Sequence, residues 1–119
     1  MTYNKATPVK YGKFHGLGND FIVARDGSLP RPLPALARAI TERTTGIGAD
    51  GFLALLPPRD SRNHARVRFF NSDGSEPEMS GNGIRCVGAF LLAESGSKPE
   101  LRIETPAGVK TLRLVRATA

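Results

Sequence analysis

The sequence predicts an α+β domain in which a curved, mostly antiparallel sheet surrounds one buried helix. Three observations point to it. Residues 80–92, SGNGIRCVGAFLL, open on a Gly-rich turn and continue as a helix that is apolar on nearly every face. Such a helix has to be buried. Several segments of strand length, apolar or alternating, are bounded by Gly, Pro, Asn and Asp. The 119 residues are one domain's worth, long enough to bury a core.

Taken in order, residues 1–8 read as a leader and residues 9–119 as the domain. Val9 to His15 is a first strand, and Gly16-Leu17-Gly18-Asn19-Asp20 a turn by composition. Phe21 to Arg25 is a second strand, ended by Asp26-Gly27-Ser28. Pro30, Pro32 and Pro34 make a stiff connector that also starts a helix well. Leu33, Leu36, Ala37 and Ile40 recur at helical spacing, which predicts an amphipathic helix over Leu33 to Arg43. A Gly-rich turn, residues 44–51, leads into an apolar strand, Phe52 to Leu56, stopped by Pro57-Pro58. After a polar loop, Val67 and Phe69 alternate with Arg66, Arg68 and Phe70 as a half-buried strand. The buried helix starts at Ser80-Gly81-Asn82-Gly83 and runs through Ile84, Val87, Ala89, Phe90, Leu91 and Leu92, with Ser95 to Pro99 closing it. Leu101 to Glu104 and Val109 to Val115 form a terminal hairpin around Pro106-Ala107-Gly108, and Arg116 to Ala119 reads as a frayed or cut tail. The total is about six strands and two helices, with no internal repeat.

Composition excludes several function classes. No apolar run approaches membrane-span length, and MTYNKATPVK has no signal-peptide core, so a cytoplasmic chain is expected, without a membrane partner. Cys86 is the single cysteine, which rules out an internal disulfide framework. His15 and His64 are far apart and no Cys-x-x-Cys occurs, so no metal site is expected. The net charge of +6 raises nucleic acid as a partner. Lys and Arg are spread along the chain, however, without a basic cluster or an aromatic-interleaved RNA motif. They read as solvated strand faces, and a missing acidic partner domain could also balance the charge.

The chemistry is expected in the turns. Asn19-Asp20, Asp50, Asn71 to Asp73 and Ser80-Gly81-Asn82 each combine Gly with Asn, Asp or Ser beside a strand or helix. One such group is ordinary turn chemistry. Four in one domain look like loops converging on a site. The Gly-x-Gly pairs lack the spacing and the Lys-Ser/Thr ending of nucleotide loops. At the start of the buried helix, exposed backbone N–H groups suit a carboxylate.

Phe14-His15-Gly16-Leu17-Gly18-Asn19-Asp20-Phe21, then RTTGIGADG from Arg43 to Gly51, then Asn71-Ser72-Asp73-Gly74-Ser75 with MSGNGIRC from Met79 to Cys86, resemble the N-terminal half of diaminopimelate epimerase. Order and spacing match from about Val9 to Val115. The resemblance implies a barrel-like sheet around a central helix and a second, pseudo-symmetric domain absent from this chain. It implies interconversion of LL- and meso-2,6-diaminopimelate, in lysine and peptidoglycan precursor biosynthesis, without a cofactor. One group removes the α-proton and another returns it from the opposite face. In the family each domain supplies one cysteine at the N-terminus of its central helix, where a thiol's pKa of about 8.5 falls.

By position, Asn19 and Asn71 match family residues that hold the distal end of the substrate, and Gly81 and Asn82 those whose amides take its carboxylate. The family's MCGNG is here Met79-Ser80-Gly81-Asn82-Gly83, so Ser80 occupies the position of the catalytic cysteine. A serine hydroxyl is too weakly acidic to be that base without a partner, but serine is a favoured helix cap. Cys86 does not replace the thiol: six residues on, it lies ~9 Å further along the helix and about 120° round it. His15, Asp20, Asp50 and Asp73 are expected to stabilise turns. The expected partners are a diamino-acid substrate, the C-terminal domain of the same protein and a second copy in a homodimer. Two alternatives share these residues: an isomerase resembling the proline racemase and phenazine-biosynthesis relatives, and a non-catalytic half that pairs with itself.

Overall fold

The computed structural model describes residues 11–16, 18–95 and 100–113. The expected leader, Val9 and Lys10, Leu17, residues 96–99 of the helix-closing stretch and everything from Leu114 on lie outside the described residues. Six strands form one sheet in chain order. They are β1 (Tyr11–Gly16), β2 (Asn19–Arg25), β3 (Gly51–Leu56), β4 (Ala65–Asn71), β5 (Glu100–Thr105) and β6 (Gly108–Arg113). The helices are α1 (Leu33–Thr41) and α2 (Gly81–Ser95), with one short 3-10 turn at Asp26–Ser28.

The pairs β1–β2, β3–β4 and β5–β6 are antiparallel, and β2–β3 and β4–β5 are parallel. A parallel pair needs a crossover, and the two helices provide them. α1 links β2 to β3, and α2 links β4 to β5. The expected α+β architecture is present. The sheet curves toward α2 without closing, because β1 and β6 are its two edges and do not pair among the described residues.

Side chains alternate across the sheet, so each central strand feeds two cores. Phe21, Val23, Leu53, Leu55, Val67 and Phe69 pack against Ile84, Cys86, Val87, Phe90 and Leu91 of α2. The flanking strands reach the same helix. The Phe14 ring meets Phe90 edge-on at 6.2 Å, and a Cβ on Gly88 would come within 3.0 Å of Leu112. α2 is therefore the helix that the sheet bends around, with Arg85, Ala93 and Glu94 on its exposed side. On the opposite face, Ile22, Ala24, Phe52, Ala54 and Phe70 pack against Leu33, Leu36, Ala37 and Ile40 of α1. This second core makes β2 and β3 buried on both faces, and both read as nearly continuous apolar runs.

α1 begins as the proline connector predicts, with Pro34 in its first turn. It ends at Thr41, two residues before the expected Arg43. Glu42 leaves the helix in an extended conformation, and its carboxylate accepts from the Thr44 N–H and hydroxyl at 3.1 and 3.0 Å. The chain then folds back on the helix end. Gly46 N–H donates to Glu42 O, and Ile47 and Gly48 N–H both donate to Ile40 O. These bonds satisfy the last carbonyls of the helix. A Cβ at Gly46 would sit 2.3 Å from Ala39 O, so glycine permits this close return. The return delivers residues 43–50 to the start of β3.

The β4–β5 pairing covers only Ala65↔Ile103 and Arg66↔Glu104. It is extended by His64, whose N–H donates to Arg102 O and whose Nδ1 accepts from Arg102 N–H. The Glu104 carboxylate accepts from Arg59 N–H, Asp60 N–H and the Asn63 amide, which pins the preceding polar loop to the hairpin.

Candidate active site

The register decides which loops meet. β2 and β3 run parallel and start at the same end of the sheet, while β4 runs antiparallel and finishes there. Phe21 pairs with Gly51, and Gly51 with Asn71. α2 begins ten residues after Asn71, at the same end. The result is a cleft of about 220 Å³ with Asn19, Asp50, Asn71 and Ser80 on its polar walls and Leu53 and Phe69 among its apolar lining. The turns separated along the sequence are thus brought together, as the pattern of Gly-rich groups predicts.

Ser80 caps α2. Its Oγ accepts Gly83 N–H at 2.9 Å, and its carbonyl accepts Ile84 N–H at 2.9 Å. Gly83 N–H is the hydrogen-bond partner of that oxygen, and no side-chain base among the described residues is bonded to the hydroxyl. The amides of Gly81 and Asn82 belong to the first turn, ahead of the helical ladder, where N–H groups and the positive end of the dipole suit an anion. The Asn82 side-chain Nδ2 donates to Asn19 Oδ1 at 3.0 Å, which joins two of the predicted binding residues directly. Asn71 sits across the cleft. Its amide donates to Ser75 Oγ at 2.9 Å, and its N–H and C=O close the turn with Ser75 and Gly74. Asp73 accepts from Ser75 N–H and Oγ, which holds its carboxyl below the usual range and makes it a turn residue.

Asp50 stands on the other wall, with the buried Asp20 behind it. Asp20 N–H donates to Asp50 Oδ2 at 2.9 Å, and Asp50 N–H donates back to Asp20 Oδ1 at 3.0 Å. Neighbouring carboxylates disfavour each other's charge, and a cation between them offsets this. Arg43 supplies it, reaching Asp20 Oδ1 at 3.0 Å and Asp50 Oδ1 at 3.1 Å, with Lys13 Nζ 3.4 Å from Asp20 Oδ2. The sequence alone places Asp50 in its own turn and Arg43 at the end of the first helix. Both lie in RTTGIGADG, but the partner, Asp20, is 30 residues from Asp50 and a short motif does not disclose it. His15 stays exposed on β1, opposite Asp20 in register. Cys86 is buried in the α2 core, away from the cleft, and burial pushes its thiol pKa up. Among the described residues no group of three or more His, Cys, Asp or Glu is placed to hold a metal ion, and no helix is long and apolar enough to cross a membrane.

The Asp20 clip gives a pH dependence of definite sign. The Arg43 hydrogen bond, above all, holds the Asp20 carboxyl well below the usual carboxylate range. A carboxylate with a depressed pKa in the fold adds stability at every pH above its unfolded value, near 3.9, and loses it as the pH falls toward the folded value. Stability should therefore fall below about pH 4. Arg43→Gln should flatten that fall by lowering the stability plateau above about pH 4, with little change at pH 2, as read by urea denaturation between pH 2 and pH 8.

The sequence of the whole domain carries the same affiliation. A family model described as diaminopimelate epimerase matches residues 11–119. Among curated proteins, the diaminopimelate epimerase of Moorella thermoacetica is 49% identical over 109 residues, which are 87% of this chain and 37% of that protein. The one from Nostoc punctiforme is 46% identical over 112 residues, 90% of this chain and 40% of that protein. The chain thus spans about 40% of the length of these relatives. Solved structures agree on the fold. A hydroxyproline epimerase from Agrobacterium vitis superposes with a TM-score of 0.67 at 23% identity, over 90% of this chain and 38% of that one. A phenazine biosynthesis protein from Bacillus anthracis gives 0.61 at 23% identity, over 87% and 33%. With a family model covering all but the first ten residues, this chain belongs to the diaminopimelate epimerase family.

Proposed function

We propose that this chain is the N-terminal half of a diaminopimelate epimerase, and that its cleft is half of the site that holds the diamino acid. In this reading Gly81 and Asn82 take the substrate α-carboxylate on their amides, and Asn19 and Asn71 hold the polar distal end. A C-terminal domain of similar fold closes the cleft and contributes the opposing acid/base group. The reaction needs no cofactor, because the proton is removed on one face and returned on the other. The setting is lysine and peptidoglycan precursor biosynthesis in the cytoplasm, with dimerisation as a further level of assembly. Ser80 stands at the position of the catalytic cysteine. It keeps the cap of α2 and lacks the thiolate, so the chain as written binds without inverting.

The observation that supports this most is the convergence of Asn19, Asn71 and Ser80 on one cleft, with the Asn82 side chain bonded to that of Asn19, in a chain of this family. Titration calorimetry of the chain joined to the C-terminal domain of its relatives tests it. Heat of binding is expected with LL- and meso-diaminopimelate, and much less with lysine, which lacks the second carboxylate. A folded two-domain protein that binds none of the three at millimolar concentration overturns the reading.

A further inference from the structure

We propose that Asp50, braced by Arg43, is a positioning residue for the cleft: it fixes Asn19, and through Asn19 the Asn82 side chain at the start of α2. The inference rests on the reading of this cleft as a substrate site. Asp50 is placed to act on Asn19 in two ways. Its Oδ2 accepts the N–H of Asp20, the peptide that leaves Asn19, at 2.9 Å. The same oxygen takes the Asn19 Nδ2 group in a long contact at 3.5 Å. The Asn19 amide then has its nitrogen toward Asp50 and its oxygen toward Asn82 Nδ2, 3.0 Å away. An acceptor on one side and a donor on the other choose one of the two amide orientations.

Asp50 does not have the character of a general base or of a free charge for the substrate. Its Oδ1 is engaged by Arg43 at 3.1 Å, and its Oδ2 by the two groups above. The side chain nevertheless faces the cleft. The carboxylate is therefore spent on geometry, with Arg43 bridging it to Asp20. A purely structural clip would need the Asp20–Asp50 exchange and no contact with Asn19.

The two-domain protein tests this with Asp50→Ala, Asn19→Ala and the double variant. Each single change is expected to weaken diaminopimelate binding about 10-fold, the scale of a hydrogen bond that involves a charged group. The double variant is expected to lose about 10-fold as well, since Asp50 acts through Asn19. A loss of about 100-fold, the product of two independent effects, overturns the proposal. A second readout needs no ligand. The Asn19 side-chain NH₂ signals of the 15N-labelled protein should shift and exchange faster with solvent in Asp50→Ala. Asp50→Asn keeps the volume for folding, and its Asn19 signals should shift too, because the accepting oxygen loses its charge. Unmoved signals in both variants overturn the proposal. Moved signals in a protein that binds no diaminopimelate uphold the positioning and sink the substrate reading instead.

Discussion

Ser80→Cys, introduced into the protein with both domains present, is expected to raise α-proton exchange of LL-diaminopimelate by ~10²- to 10⁴-fold, the usual contribution of a positioned general base. The reason is acidity. A thiol of ordinary pKa about 8.5 is brought toward neutrality by the N-terminus of a helix, while a hydroxyl stays protonated there. The site accepts the larger sulfur because position 83 is glycine: a Cβ there would lie only 3.0 Å from Ser80 Oγ and 3.2 Å from Leu53. The substitution also removes a good cap, since Ser80 Oγ now accepts Gly83 N–H at 2.9 Å. That loss costs ~1 kcal/mol of stability. A gain in rate with a small drop in melting temperature is the joint signature. Deuterium incorporation at the α-carbon in D₂O, followed by NMR, measures the rate. A folded variant that binds diaminopimelate and exchanges no faster than the parent would show that Ser80 is not at the reacting centre.

How much of this was readable beforehand depends on the range of the interaction. Local chemistry was legible. Ser80 caps α2 as its residue type suggests, Pro34 sits in the first turn of α1, and Pro106-Ala107 turns the terminal hairpin before Gly108 at φ 102°. The apolar periodicity of α2 identified the helix that the sheet encloses. Strand order was less legible. β2 and β3 are apolar without clear alternation, and such a run does not say that its neighbour is parallel or that α1 covers its outer face. The ion cluster that braces the cleft was not legible. Asp20 and Asp50 look like turn residues and Arg43 like the end of a helix, and their mutual bonds exist only once β2 and β3 lie side by side. The open edge of the sheet, likewise, is a property of the pairing and not of β1 or β6 alone.

The second core under α1 makes the largest stability prediction. Phe52→Ala is expected to destabilise the domain by ~3–5 kcal/mol, out of a total of about 5–15. Phe52 is fully buried at the centre of the sheet, between Ile22 of β2 and Phe70 of β4, and its ring stacks on Phe70 at 6.0 Å. Truncation leaves a void between strands that hydrogen bonds hold at fixed spacing, so the site has little freedom to collapse. The melting temperature should fall by roughly 10–20 °C. Val109→Thr on β6, where the side chain is 52% exposed, is the matched control and should change stability by less than about 0.5 kcal/mol. The effect should extend to function. α1 carries the return loop that delivers Arg43 and Asp50, and Phe70 precedes Asn71 on β4 and itself lines the cleft. Any Phe52→Ala protein that remains folded should therefore also bind diaminopimelate more weakly, without a residue of the polar walls having changed. Equal losses of stability in Phe52→Ala and Val109→Thr would mean that the α1 face adds little to the fold, and that the cleft is held by the α2 core alone.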